Sequence, residues 1–275
     1  MNAVSSRSSR ATSAILLIIM MVFTIFPLLT MLATALQPAN STPSGFSWPA
    51  HPQWHNFAVA WVATNFMHLL SSSVIYVVGV VPIAVILATL AGYGLGHITI
   101  PGGKAVTLLF VFGLTLPAEA LITPLYYQFQ SWGLLGTHWG VILALIGLYM
   151  PFGVFWMRTH FANSPVELTE AALLDGASAW QVFRQVHLPL ARSALASLAI
   201  LMFLWTWNQL LLPLVLVNDP SKGTVASALS AFQGQYSTNI VLLCAAAFIV
   251  LLPSLIVFLI FQRHFVQALL QGSER

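Results

Sequence analysis

The chain alternates between long apolar runs and short segments that carry its prolines, glycines and most of its charges. A helix needs about 20 apolar residues to cross the hydrocarbon of a bilayer. Six runs approach or exceed that length, at roughly 14–36, 68–97, 104–129, 138–160, 190–217 and 240–262. The pattern therefore predicts an all-α membrane protein, a polytopic bundle of about six transmembrane helices.

The first run needs a separate test, because it has some features of a secretory signal peptide. Arg7 and Arg10 precede it, and Ala33-Thr34-Ala35 could serve as a cleavage site. The apolar core of a signal peptide has about 7 to 15 residues, whereas this run is roughly as long as a membrane span. We therefore interpret it as the first transmembrane helix.

Composition supports a membrane protein, since 59% of the residues are hydrophobic and only 5% are charged. A water-soluble surface of ordinary charge density cannot be assembled from such a chain. The net charge is +3, and nine scattered lysines and arginines form no stripe that tracks phosphates, which argues against nucleic-acid binding. The single cysteine, Cys244, lies in an apolar run, so an internal disulfide framework and a cysteine-built zinc site are excluded.

The basic residues predict the orientation, because cytoplasmic segments retain lysine and arginine. With the amino terminus inside, only Lys222 falls on the outer side. The other eight fall on the cytoplasmic side: Arg7, Arg10, Lys104, Arg158, Arg184, Arg192, Arg263 and Arg275. We expect cytoplasmic tails at 1–13 and 264–275, a transmembrane domain over 14–263 and a first outer loop at 37–67.

The only long cytoplasmic connection, residues 161–189, joins the fourth and fifth spans and holds three of the six acidic residues. A capping box of Ser164 and Glu167, with Pro165 at the first helical position, predicts a short helix that continues through Leu174. Asp175-Gly176 would end it.

A second short helix is predicted directly after this break. Ser178 with Gln181 three residues later makes another capping box, and Leu188-Pro189 would stop the helix. Composition alone is equally compatible with an ordinary amphipathic connector at the membrane surface.

The residues of the loop follow a recognisable order. Glu170-Ala171-Ala172 is followed after three residues by Gly176, after nine more by the aliphatic Val186, and after one more by Leu188-Pro189. Every spacing is that of the EAA loop, so the chain resembles the permeases of ABC importers. Over nearly the whole chain, further segments are similar to carbohydrate importer permeases of the maltose-transporter type: Ala91-Gly92-Tyr93-Gly94, Pro117, Pro124-Leu125-Tyr126, Trp207-Asn208-Gln209-Leu210 and Pro213.

This resemblance implies a function and a set of partners. In such importers the loop is a coupling helix that docks into a groove of a separate ATPase subunit, and two different permease chains form the pathway. An extracytoplasmic solute-binding protein, the lipid of a bacterial inner membrane and alternating access are implied as well. The residues that the resemblance assigns to ATPase coupling are Glu167, Glu170, Ala171, Ala172, Asp175, Gly176 and Ala177.

Two of these residues have implied roles of their own. Glu170 would meet a basic group on the ATPase, and Gly176 would permit the turn between the two helices. Two departures from the family also stand out. The segment 265–272 retains one glycine where the family often has a glycine-rich tail, and Gln209 stands where an acidic residue is common.

Motifs for catalysis are missing from the sequence. Gly103-Lys104 is followed by Ala105 and preceded at the required position by Ile98, so there is no phosphate-binding loop and ATP would be hydrolysed by another chain. The zinc-protease and nucleophile-elbow motifs are also missing. We therefore expect a subunit that is not an enzyme, without a cofactor. His51 and His55 in the outer loop are expected to bind no metal, because carboxylates and cysteines are lacking nearby.

Polar residues inside apolar spans are costly and therefore candidates for function. Asn208 and Gln209, beside Trp207 in the fifth run, could hydrogen-bond a polar solute or join helices to one another. Glu119, near the middle of the third run, could line the pathway or be a protonated packing residue. These four residues are the candidates for a solute pathway.

Two competing classes remain open from the residues alone. A secondary transporter or channel driven by an ion gradient would also show about six spans, but it would usually place coupling charges within the membrane. Here the acidic cluster lies in the cytoplasmic loop instead. A membrane scaffold without transport would not depend on an ATPase.

Overall fold

The computed structural model describes residues 7–234 and 238–271, with side chains over 12–234 and 238–262. These residues form twelve α-helices and no β-strand. A π-helical stretch, Val182–His187, joins α8 to α9 and is called the π segment below. The helices are α1 (Arg7–Ala35), α2 (His55–Ala63), α3 (Phe66–His97), α4 (Gly103–Thr115), α5 (Ile122–Ser131), α6 (His138–Ala162), α7 (Val166–Leu174), α8 (Ala179–Gln181), α9 (Leu188–Leu190), α10 (Arg192–Trp207), α11 (Leu211–Leu216) and α12 (Ile240–Gln271).

Membrane-spanning length is reached by several of these helices. Two bent pairs of helical segments, 103–115 with 118–131 and 179–190 with 192–207, have the composition of broken spans. The described part of the chain thus holds four spans, or six if each bent pair counts as one, and the predicted all-α bundle is confirmed. The four continuous spans are Thr12–Ala35, Phe66–His97, His138–Ala162 and Ile240–Gln262.

The third and fifth predicted spans are broken helices in the structure. In the third, Leu116 is extended with ψ 126° ahead of Pro117, and the two helical parts meet at 100°. Proline disfavours the helical conformation of the residue before it, which explains the break. In the fifth, α10 ends at Trp207 and α11 begins only at Leu211.

Helix also extends into both expected tails. α1 begins at Arg7 and α12 continues to Gln271, whereas tails were expected at 1–13 and 264–275. Residues 1–6 and 272–275, including Arg275, lie outside the described residues, and the side chains of Arg7, Arg10 and Arg263 do as well.

The chain divides into two compact units, and the first comprises the described residues up to Phe66 together with 228–252. Side chains 12–29 of α1 are exposed, so this long apolar stretch faces outwards, whereas Ala35 at its end is buried. There the buried Asn56 amide donates hydrogen bonds to the carbonyls of Ala35 (2.8 Å) and Gln37 (2.7 Å), which satisfies groups that the helix end leaves open. The buried cluster of this unit is Ala35, Ala60, Phe232, Ala245 and Ala246.

The second unit, 67–227 with the described residues from 253 onwards, has a core shared mainly by α3, α6, α10 and α11, and within it α3 packs against α6. Small residues let the two helices approach closely. A β-carbon on Gly92 would lie 2.5 Å from Cβ of Met157, and one on Gly96 would lie 2.6 Å from the Arg158 carbonyl oxygen. Gly92 and Gly96 are four residues apart and therefore lie on one face, the arrangement that brings membrane helices together.

Candidate functional site

The loop between α6 and α10 is the first candidate site, and α7 begins it differently from the prediction. Pro165 occupies the cap position, and the Ser164 hydroxyl points back to the His160 carbonyl at 3.5 Å. The capping box of Ser164 with Glu167 is therefore wrong, because the last turn of α6 uses the hydroxyl. Glu167 still lies in the first turn of α7, where its charge complements the helix dipole.

The end of α7 is as predicted. Gly176 has φ +81°, its N–H donates to the Leu173 carbonyl (3.0 Å), and the Ala177 N–H donates to the Ala172 carbonyl (3.0 Å). This pair of hydrogen bonds is a Schellman motif, which needs a left-handed residue at the position of Gly176. Gly176 is thus the residue that turns the chain out of α7.

The second capping box is confirmed. The Gln181 side chain accepts from the Ser178 N–H at 2.7 Å, and the Ser178 hydroxyl accepts from the Gln181 N–H at 3.4 Å. The helix passes through the π segment and ends at Leu190, one residue beyond the predicted stop at Leu188-Pro189, and the chain then bends by 71° into α10. The π segment ends at His187, so the helix is already irregular before Pro189 is reached.

The exposed side of α7 carries both charge and apolar surface. Glu167, Glu170, Ala171, Asp175 and Gly176 are exposed, and Ala172 and Ala177 are half-buried. A contiguous patch of exposed apolar side chains marks an interaction surface more often than scattered ones do. We call the following set the α7 face: Val166, Glu170, Leu173 and Leu174 of α7, with Trp180 of the following α8.

Sequence reasoning selected only Glu170 from this set. Leu174 is 89% exposed and Trp180 60% exposed. The sequence did contain a signal for this surface, namely large apolar residues in a short loop helix. A connector that packs only on its own chain would bury such residues.

A cavity of about 540 Å³ is the second candidate site, and it lies where α10 ends. It is called the amide cavity here, because Asn208 and Gln209 line it together with aromatic rings. Trp205 lies 5.5 Å from Tyr149 and 4.9 Å from Phe152, measured between ring centroids. Amides beside aromatic faces can bind a small polar organic molecule, and the volume falls within the usual range for ligand sites.

The structure places the four predicted pathway residues differently from one another. Asn208 and Gln209 line the amide cavity, whereas Trp207 is only 3% exposed and stacks on Phe203. Trp205 lines the cavity instead, because residues three apart on a helix share a face and residues two apart do not. Trp207 was predicted to line the pathway beside Asn208, but its buried side chain does not line this cavity.

Glu119 lies at the break of the third predicted span. It lies exposed in the 3-10 turn Ala118–Leu121, at the break between α4 and α5. The preceding residue, Ala118, lines the amide cavity. The two predicted roles of Glu119, lining the pathway or packing as a protonated residue, stay predictions.

Comparisons with known proteins find relatives over most of the chain. The family described as "Binding-protein-dependent transport system inner membrane component" matches residues 68–271. The diacetylchitobiose uptake system permease protein NgcG of Streptomyces coelicolor is 36% identical over 84% of this chain and 78% of its own length. The trehalose transport system permease protein SugB of Mycobacterium tuberculosis is 30% identical over 89% of this chain and 90% of its own.

A solved structure shares the fold. It is a chain of a bacterial ABC transporter involved in the import of the acidic polysaccharide alginate, with a TM-score of 0.78. The likeness covers 96% of this chain and 99% of that one at 20% identity.

Proposed function

Because this chain belongs to the family of binding-protein-dependent transport system inner membrane components, we propose that it is a permease subunit that forms half of the pathway of an ABC importer for carbohydrates. The match over residues 68–271 is the observation that carries this conclusion. It favours an importer over a gradient-driven transporter, a channel or a scaffold. The chain is a multi-pass membrane protein, with the spans described above.

A carbohydrate is the proposed solute class. Diacetylchitobiose and trehalose, the solutes in the names of the two relatives, are both disaccharides. The amide cavity suits the same chemistry, because Asn208 and Gln209 can exchange hydrogen bonds with hydroxyl groups while Trp205 covers an apolar sugar face. Alternating access of this cavity would carry the sugar across the membrane.

The energy would come from another chain. The sequence lacks a phosphate-binding loop, and the α7 face offers Glu170 and exposed apolar side chains to a partner. We assign that partner as the ATPase subunit, which hydrolyses ATP. A second, homologous permease would complete the pathway, and the family description itself names dependence on a binding protein.

One experiment tests this function as a whole. The tagged chain, purified from its own membranes, should retain an ATPase subunit and a second permease, and the complex in vesicles should take up a labelled disaccharide when ATP and the binding protein are supplied. Asn208→Leu should lower uptake by a factor of roughly 3 to 10, the worth of one or two hydrogen bonds. Asn208→Gln, which keeps an amide, should retain most of the uptake. Assembly without uptake of any sugar would contradict the solute class, and absence of an ATPase would contradict the importer.

The orientation belongs to the same proposal, with both termini in the cytoplasm of a bacterial cell. Single cysteines at Asn40 and Gly133 should react with an impermeant thiol reagent from outside, and one at Asp175 only from the cytoplasm. We expect this labelling pattern because the predicted topology places eight of the nine basic residues on the cytoplasmic side. Labelling of position 175 from outside alone would overturn the orientation.

A further inference from the structure

Three polar side chains from three separate elements meet beneath α7. His97 is the last residue of α3, Thr169 lies in the middle of α7, and His187 is the last residue of the π segment. The Thr169 hydroxyl oxygen lies 2.8 Å from Nε2 of His97 and 2.8 Å from Nε2 of His187. One hydroxyl therefore joins α7 to two other elements at once.

Aromatic rings surround this contact. His187 is fully buried, and its ring centroid lies 4.1 Å from that of His97. Tyr93 lies 5.2 Å from His97 and 5.4 Å from His187, and Phe161 lies 6.3 Å from His187. Hydrogen bonds in such an apolar environment are strong, and a group left without its partner there is costly.

The hydroxyl group has the right chemistry to serve both imidazoles. It has one proton to donate and lone pairs to accept, so it can donate to one Nε2 and accept from the other when that nitrogen is protonated. Valine has nearly the shape of threonine but neither capacity, and serine retains both. Substitution by valine thus removes both hydrogen bonds with little change in volume, and substitution by serine keeps them.

The position of the contact links the two candidate sites. Thr169 is half-buried, whereas its neighbour Glu170 belongs to the exposed α7 face. His187 directly precedes α9, and α9 bends into α10, whose far end carries Trp205 and leads to Asn208 at the amide cavity. The hydrogen bond to His187 thus joins α7 to the helical segment that leads to the cavity.

We propose that Thr169 is a positioning residue for energy coupling: its hydroxyl fastens α7 to His97 and His187, so that displacement of α7 by the ATPase moves α10. This inference rests on the proposed function and adds the link by which the docking surface acts on the solute site. Sugar recognition and ATPase binding remain the tasks of other residues, so loss of the hydroxyl should separate hydrolysis from transport.

The test is the number of sugar molecules transported per ATP hydrolysed by the complete complex in vesicles. Thr169→Val should keep the ATPase subunit bound and keep hydrolysis, while the transport ratio falls roughly fivefold or more, the lower end of typical coupling between sites. Thr169→Ser should restore the ratio to within about twofold of the original protein. A role in packing volume alone would not respond to the serine hydroxyl in this way, and a general structural role would reduce ATPase retention as well.

A second variant addresses the other end of the link. His187→Phe keeps an aromatic ring in the cage but cannot bond Thr169, so it should lower the ratio like Thr169→Val, and the double variant should be no worse than either single one. An unchanged ratio in Thr169→Val would overturn the proposal, as would a loss of ATPase retention or an equal loss in Thr169→Ser. A complex without any sugar uptake in the original protein would instead contradict the proposed function.

Discussion

A Glu170→Ala variant is expected to lose its ATPase subunit during purification. Glu170 is exposed on α7 four residues before Leu174, so the carboxylate and the most exposed apolar side chain of the loop lie on one face. When one member of a charge pair at a buried interface is removed, binding weakens by about 2 to 5 kcal/mol, because the other charge stays unpaired. That corresponds to a roughly 30-fold or greater loss of affinity. Retention of the ATPase on the tagged complex is the measurement.

A matched variant separates the loss of the Glu170 charge from general damage to the protein. Asp219→Asn removes an exposed carboxylate from the loop that the predicted topology places outside, and it should leave ATPase retention unchanged. Wild-type retention in Glu170→Ala would remove Glu170 from the interface.

The turn after α7 should respond to the same assay. Gly176→Val should also release the ATPase, because a β-branched residue resists the φ of +81° that the Schellman motif needs. Gly133→Val carries a similar strain at φ +67° in a connection predicted to lie outside, and should keep the ATPase bound. If the two valine variants behave alike, the effect of Gly176 is general strain and not docking.

The second large effect is expected on thermal stability, from a substitution at the contact between α3 and α6. In a Gly92→Leu variant, the new β-carbon would lie within 2.9 Å of three atoms of Met157 and Arg158, two of them backbone atoms that cannot rotate away. Overpacking of a tight interior usually costs about 1 to 3 kcal/mol, and a leucine wedged between two helix backbones should reach or exceed that range. We expect the purified subunit to unfold at a clearly lower temperature and with a low yield.

A glycine in a roomy position gives the control for this variant. A β-carbon on Gly147 of α6 would meet nothing within 4 Å, so Gly147→Ala should be neutral or slightly stabilising. Equal thermal stability of Gly92→Leu and the original protein in the same detergent would show that α3 and α6 do not pack as described.

Most of the fold follows from the sequence, because span length is fixed by the thickness of the bilayer. The six apolar runs and the second capping box were predictable for that reason and because a cap acts over three residues. The break at Leu116 and the end of α10 at Trp207 were missed, since both lie inside runs whose mean hydropathy is that of a membrane span. Hydropathy reports the surrounding solvent and not the continuity of the backbone.

The candidate sites were only partly predictable. Asn208 and Gln209 were found because amides are rare in apolar runs, whereas the choice of Trp207 over Trp205 needed the helical phase at the end of α10. Contact between His97 and His187 could not be read from the sequence, because only the packing of α3 against the loop brings together residues so far apart in the chain.

The exposed surface of α1 has a consequence for biosynthesis. Over its most apolar stretch, none of this helix is buried by the described remainder of the chain. An apolar stretch that packs on no later segment can leave the translocon for lipid as soon as the ribosome has made it. This part of α1 can therefore reach the lipid while α3 and α6, which pack against each other, are still being synthesised.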